Sequence, residues 1–104
     1  MTRGEVYRVR LPVGRGREQA GPRYGVVVQA DALLGLSTAV VAPTSSSAAP
    51  ATFRPEIELL GQRTRVLVEQ LRVVDLERLS EFAGRLTAAE LQALDDALLL
   101  VFDL

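Results

Sequence analysis

Residues 4–11 read Gly-Glu-Val-Tyr-Arg-Val-Arg-Leu (GEVYRVRL), and residues 23–29 read Arg-Tyr-Gly-Val-Val-Val-Gln (RYGVVVQ). The first stretch alternates with a period of two, which predicts a β-strand with Arg8 and Arg10 on one face. The second stretch is rich in β-branched residues and predicts a central strand. Gly25 within it indicates either a bulge or a close approach of a neighbouring backbone. These two strands are the predicted centre of the fold.

Shorter patterns of the same kind follow along the chain. Strands are predicted at residues 38–43, 56–60 and 65–69, and residues 72–74 either extend the last strand or start another. Asp75 has a side chain suited to an N-cap, so a short helical turn is expected to begin there.

The C-terminal part of the chain carries the clearest helix. Thr87 followed by Glu90 is the pattern of a capping box. Apolar residues then recur at helical spacing, namely Leu91, Leu94, Leu98 and Val101. The sequence therefore predicts a mainly β or α+β fold: a small, partly closed antiparallel sheet of about five strands, a long C-terminal helix and one or two short helices.

Length and composition restrict the class of protein. The 104 residues, 48% of them hydrophobic, predict a single domain spanning residues 1–104. The chain has neither Cys nor His, which excludes thiol nucleophiles, disulfide scaffolds and cysteine–zinc sites and removes the usual acid–base residue. Residues 1–24 lack the apolar core of a secretory signal, and the longest apolar runs fall well below the ~18 residues that span a bilayer. We expect a cytoplasmic protein.

Charge is segregated along the chain. Residues 1–24 hold six arginines against two glutamates, whereas residues 86–104 hold four acidic residues and no basic one. All 12 basic residues are Arg, whose planar fork fits phosphate, although a GC-rich coding sequence also favours Arg over Lys. Arg15 and Arg17 lie in a Gly-rich loop, where they form either an electrostatic track for a nucleic-acid backbone or a solvated loop.

Several segments in register resemble the MazF/PemK family of toxin endoribonucleases from bacterial toxin–antitoxin pairs. They are residues 3–7 (RGEVY), 18–23 (EQAGPR), 29–31 (QAD), 43–45 (PTS), 67–75 (LVEQLRVVD) and 78–79 (RL). Two positions depart from the family pattern, which has Pro where this chain has Tyr24 and Asn where it has Ala30. The departures bear on sequence preference and leave the expected chemistry intact.

The resemblance implies a fold, an activity and partners. Such proteins adopt a small SH3-like β-barrel with attached helices and act as homodimers. They cleave single-stranded RNA at short motifs without a metal or other cofactor, leaving a 2′,3′-cyclic phosphate and a 5′-hydroxyl. This activity inhibits translation and growth, and a cognate antitoxin normally blocks the RNA groove.

The resemblance also implies which residues react. The family's catalytic Arg and Thr correspond to Arg23 and Thr44, with Ser45 assisting Thr44 or substituting for it. Glu69 occupies the position of a general base in related toxins, or else it ends a strand or pairs with an Arg. Glu18 is a weaker candidate base, which in the alternative only holds an Arg in place.

The remaining expected substrate-binding residues are Arg15, Arg17, Gln19, Tyr24 and Gln70. Tyr24 offers a ring on which a base can stack, or it is simply a good strand residue. Gln70 contacts a base edge or ends a strand. The loop after Thr44, with the sequence TSSSAAPA, is expected to form a second wall of the RNA groove.

The expected reaction suits a chain without His or Cys. RNA supplies its own nucleophile, the 2′-hydroxyl, so the protein needs only to orient it and stabilise charge at the phosphate. An arginine side chain is a poor base, so the expected role of Arg23 is charge stabilisation and proton donation to the leaving oxygen. Two alternatives stay open: a non-catalytic gyrase poison of the same fold, whose C-terminal Trp this chain lacks, and an SH3-like module that binds RNA or peptide.

Overall fold

Seven strands and one α-helix make up the part of the chain that the computed structural model describes, residues 1–12, 16 and 21–104. The strands are β1 (Glu5–Leu11), β2 (Gly21–Val27), β3 (Thr38–Ser45), β4 (Glu56–Leu59), β5 (Gln62–Val66), β6 (Arg72–Asp75) and β7 (Leu79–Arg85). The helix is α1 (Ala88–Phe102), and 3₁₀ turns cover Asp31–Leu33, Val68–Gln70 and Leu76–Arg78.

Strand β3 connects the two halves of the antiparallel sheet. One edge of β3 pairs with β2 over residues 41–43. The opposite edge pairs with β6 over residues 38–41 and then with β5 at Thr44 and Ser45. The strand order is β4-β5-β3-β2-β1-β7, with β6 beside β3. The end of β3 therefore lies where the β4–β5 hairpin meets the rest of the sheet.

Gly25 allows β1 and β2 to pack closely. A Cβ atom at Gly25 would lie 3.0 Å from Cγ1 of Val9, closer than the 3.5–4.0 Å of ordinary carbon contacts. The register of β1 against β2 runs from Val6 opposite Val26 to Leu11 opposite Gly21 without a shift. No bulge forms between these two strands, and the atoms closest to Gly25 belong to the side chains of Val9 and Val41 rather than to a neighbouring backbone.

The sheet buries apolar side chains on both faces. One cluster includes Val6 and Val26 together with Leu94 of α1, and the other includes Val9 and Val27. The two faces of β1 thus contribute side chains to different clusters, as its period of two predicts. Helix α1 has 15 residues, and no helix in the described part of the chain is both long and apolar enough to cross a membrane.

The local signals for helices and turns are confirmed. Thr87 Oγ1 accepts a hydrogen bond from the Glu90 backbone N–H, and Glu90 Oε1 accepts one from the Thr87 N–H, which completes the capping box. The side chain of Asp75 accepts a hydrogen bond from the Glu77 N–H and caps the 3₁₀ turn Leu76–Arg78.

The strand count differs from the expected five or so. Residues 72–75 form a separate strand because they pair with β3 rather than continuing β5. Strand β7 was not predicted, because it is an edge strand whose largely exposed side chains show no alternation. Strand β5 begins at Gln62 instead of residue 65, because its hairpin turn is Leu60 and Gly61. It ends at Val66 instead of residue 69, because residues 68–70 form a 3₁₀ turn.

A buried carboxylate in β1 links that strand to the edge strand β7. Glu5 is 7% exposed; its Oε1 accepts hydrogen bonds from the Thr2 N–H (2.6 Å) and the Tyr7 hydroxyl (3.0 Å). Its Oε2 accepts one from Arg85 Nη2 of β7 at 2.7 Å. The Arg85 hydrogen bond holds the pKa of Glu5 below its ordinary value, against the opposing effect of burial. Burial and the hydrogen bond to Glu5 raise the pKa of Tyr7.

This network predicts an acid-dependent part of stability. The pKa of Glu5 is lower in the folded state than in the unfolded state. The ionised carboxylate therefore contributes fully to the free energy of unfolding above the unfolded-state pKa of about 4.3, and this contribution is lost as pH falls through the folded-state pKa. Glu5→Gln should lower the free energy of unfolding by about 1 kcal/mol at pH 7. On acidification, the free energy of unfolding of this variant should fall by less than that of the wild type. Urea unfolding followed by circular dichroism from pH 7 to pH 3 measures both effects.

Glu81→Gln, on the exposed face of β7, is the matched control and should follow the wild-type profile. If the free energy of unfolding fell equally with pH in Glu5→Gln and in the wild type, this role of Glu5 would be contradicted.

Candidate functional site

A cleft of about 470 Å³ opens between the ends of β2 and β3 and the β4–β5 hairpin. Two arginines, a row of hydroxyl side chains and an apolar wall line it. These residues are Arg8, Arg23, Tyr24, Thr44, Ser45, Ser46, Ser47, Leu59, Leu60, Gln62 and Thr64. The structure thus brings together Arg23, Tyr24, Thr44 and Ser45, which the sequence analysis expected in one site.

Thr44 is held at the base of the cleft by the backbones on either side of it. It pairs with Val66 of β5, is only 6% exposed, and donates a hydrogen bond from Oγ1 to the Tyr24 carbonyl at 3.0 Å. A hydroxyl that donates its proton in this way still has lone pairs that can accept a hydrogen bond. Ser45 is 9% exposed, and its Oγ lies 3.3 Å from Oγ of Ser47.

Arg23 provides positive charge at the exposed side of the cleft. It lies in β2 opposite Val9 and is solvent-exposed. Within the described residues, its guanidinium has no hydrogen-bond or ion-pair partner. An exposed guanidinium without a protein acceptor is available to an anionic ligand, which it can contact through two parallel hydrogen bonds.

Arg8 is a cleft residue that sequence reasoning did not single out. It lies in β1 directly opposite Tyr24 of β2, so the two side chains share one face of the sheet. The available signal was the alternation of β1, which places Arg8 on a defined face. Only the register between β1 and β2 shows that this face is the one beside Tyr24.

Glu69 and Gln70 lie outside this cleft. Both belong to the 3₁₀ turn Val68–Gln70 and line a separate recess of about 330 Å³ with Leu71 and Arg72. Glu69 Oε2 accepts a hydrogen bond from Arg54 Nε at 2.8 Å and forms an ion pair with Arg54 Nη2 at 2.6 Å. The ion pair with an arginine, one of the alternatives for Glu69, is therefore present.

Four of the expected substrate-binding residues, Arg15, Arg17, Glu18 and Gln19, lie outside the described residues. In the loop that follows β3, Ser46 and Ser47 line the cleft, as expected for a second wall.

The described lining combines positive charge with hydroxyl groups and contains no carboxylate. Such a lining suits a phosphate group, because guanidinium groups balance its charge and hydroxyl and backbone groups satisfy its oxygens. Across the described residues, no group of three or more acidic side chains is arranged to hold a metal ion.

Comparison with known proteins places the chain in a family. The model of the PemK-like, MazF-like toxins of type II toxin–antitoxin systems matches residues 2–102. Endoribonuclease MazF9 of Mycobacterium tuberculosis is 38% identical over 116 aligned residues, which cover 100% of this chain and 98% of the relative. The candidate toxin Rv3098A of the same organism is 48% identical over 75 residues, covering 71% and 70% of the two chains.

Solved structures share the fold. MazF from Deinococcus radiodurans superimposes with a TM-score of 0.87 at 22% identity, covering 100% of this chain and 97% of that one. The Mycobacterium tuberculosis toxin MazF-mt6 gives a TM-score of 0.82 at 18% identity, covering 96% and 97%. The expected fold, a partly closed antiparallel barrel with a C-terminal helix, is thereby confirmed. The chain belongs to the PemK-like, MazF-like toxins of type II toxin–antitoxin systems.

Proposed function

We propose that this chain is a sequence-specific endoribonuclease that cleaves single-stranded RNA without a metal ion. The 2′-oxygen of the RNA bonds to the adjacent phosphorus while the bond from phosphorus to the 5′-oxygen breaks, and solvent water takes the 2′-hydroxyl proton. The products are a 2′,3′-cyclic phosphate and a 5′-hydroxyl. The observation that carries the proposal is the convergence of Arg23 and the Thr44 hydroxyl on one cleft whose described lining has no acidic side chain. Family membership and the name of the relative MazF9 support it.

Arg23 stabilises the charge that develops on the phosphate oxygens in the transition state. Its guanidinium is exposed, and no described residue pairs with it, so it is accessible to a phosphate of the RNA. It also donates a proton to the leaving 5′-oxygen. Arg8, on the other side of Tyr24, adds a second positive charge for the RNA backbone.

Thr44 orients the reacting groups. Its donated hydrogen bond to the Tyr24 carbonyl fixes the side-chain rotamer and points an Oγ1 lone pair away from that carbonyl. A fixed hydroxyl in a partly enclosed cleft acts without reorganising during the reaction, which is where preorganised polar groups contribute most. Ser45 supplies a second hydroxyl beside it.

The proposed partners are RNA, a second copy of this chain and an antitoxin. Fold neighbours include an endoribonuclease from a mycobacterial species in complex with its cognate antitoxin, and MazE–MazF of Deinococcus radiodurans. An antitoxin with an acidic segment would compete with RNA for a cleft lined by arginines, because both ligands are polyanionic. The proposed dimer rests on family resemblance.

Removing either reacting group should abolish most of the activity while the fold persists. Arg23→Ala and Thr44→Val should each slow cleavage of a long single-stranded RNA by about 10²–10³-fold, the usual cost of one preorganised transition-state contact. Single-turnover cleavage of end-labelled RNA measures the rates, and circular dichroism checks the fold. Arg63→Ala, an exposed arginine of β5 outside the cleft, is the control and should cleave normally. Wild-type cleavage by folded Arg23→Ala would refute the proposal.

We assign Glu69 the role of holding its 3₁₀ turn against Arg54, because its Oε2 already accepts a hydrogen bond from Arg54 Nε and is ion-paired with Arg54 Nη2. Glu69→Gln should therefore reduce the single-turnover cleavage rate by less than about tenfold, since its loss leaves the cleft lining intact. A loss of about 10²–10⁴-fold, the usual contribution of a general base, would instead assign that role to Glu69.

A further inference from the structure

The turn between β4 and β5 has an unusual residue in an unusual conformation. Leu60 has φ of +52° and Gly61 has φ of +78°, so both central residues of this two-residue hairpin turn have positive φ. Asn, Asp and Gly are the residues that such turns favour at the first position, because Gly has no Cβ to crowd the following carbonyl oxygen and the short polar side chains of Asn and Asp hydrogen-bond locally. The local sequence of this hairpin is therefore not optimised for folding.

Packing does not explain the leucine. The neighbouring Leu59 is 9% exposed and belongs to the core cluster beneath α1, whereas Leu60 is 64% exposed. An exposed apolar side chain in a disfavoured backbone conformation adds little to the folding free energy. Strain of this kind is found at functional sites, where the side chain is retained for a ligand.

The position of Leu60 shows what that ligand contacts. Leu60 lines the same cleft as Arg23 and Thr44, on the wall formed by the β4–β5 hairpin. The ring of Tyr24 also lines the cleft, and it is partly buried against the core cluster. The cleft thus has apolar surfaces at Tyr24, Leu59 and Leu60 beside its basic and hydroxyl groups. A nucleotide has the same division between a flat apolar base and an anionic phosphate.

We propose that Leu60 and Tyr24 form a binding site for an unstacked nucleobase adjacent to the scissile phosphate. The inference rests on the proposed function and adds to it the residues that hold the base. Tyr24 supplies an aromatic surface for stacking, and Leu60 covers the base from the hairpin side. Leu60 contributes to affinity and base preference and takes no part in bond cleavage.

The test separates binding from folding through the substitution Leu60→Asn. Asn adopts positive φ far more readily than Leu, so this variant should fold more stably, with a folding equilibrium constant about tenfold larger and a higher urea midpoint. It should bind RNA about tenfold more weakly, with a raised KM and single-turnover rates at saturation within about twofold of the wild type. Leu60→Ala, which leaves the turn strained, should lose a similar amount of affinity.

The probe is a short RNA that contains a mapped cleavage site and carries a 2′-O-methyl group at the cleaved ribose. Abasic nucleotides placed one at a time beside that site report which base is held. One abasic position should cost the wild type about tenfold in Kd and cost Leu60→Asn about twofold or less. Leu36→Asn, which changes a similarly exposed leucine outside the cleft lining, should behave as the wild type in every assay.

A more stable Leu60→Asn protein with unchanged Kd for the RNA would overturn the inference while leaving the proposed function intact. That result would also be expected if the leucine contacted an apolar side chain of a protein partner instead. Abasic penalties equal in wild type and variant at every position would overturn it too. A wild-type protein that neither binds nor cleaves RNA would reject the proposed function itself.

Discussion

Strand β3 pairs with two different strands along one of its edges, and this pairing determines the geometry of the cleft. β3 pairs with β6 at its start and with β5 at its end, while β2 occupies the opposite edge. Thr44 lies at the point where the β4–β5 hairpin joins, and its hydroxyl donates to the Tyr24 carbonyl of β2. This hydrogen bond adds to the backbone pairing of β2 with β3 beside the cleft. Arg23 and Arg8 are positioned by strands β2 and β1, respectively.

Segments with strong local signals were predictable from sequence. The alternation of β1, the β-branched run of β2 and the capping box of α1 each depend on interactions between near neighbours. Strand β7 was not predictable, because an exposed edge strand is stabilised by pairing with β1 and carries little pattern of its own. The start of β5 is not evident from sequence for a related reason, since the first residue of its turn is Leu60 rather than the Asn, Asp or Gly that usually marks such a turn.

The candidate site likewise contains residues that the sequence anticipated and residues that it did not. The cleft positions of Arg23, Thr44 and Ser45 were anticipated through family resemblance, and their convergence follows from strands that are adjacent in the sheet. The position of Arg8 needed the register of β1 against β2, which no local pattern determines. Leu60 was missed because its significance lies in a backbone angle rather than in its residue type. Sequence therefore anticipated the grouping of Arg23, Thr44 and Ser45 better than the surfaces around them.

In the proposed reaction, the RNA supplies its own nucleophile, the ribose 2′-hydroxyl, in the cleft of Arg23 and Thr44. The chemistry of the product ends, after purified protein cleaves a long single-stranded RNA in excess EDTA, tests this reaction. Cleavage is expected in EDTA, with a 2′,3′-cyclic phosphate on one fragment and a 5′-hydroxyl on the other, read by mass spectrometry. Products with a 3′-hydroxyl and a 5′-phosphate, or no cleavage unless a divalent cation is restored, would contradict it.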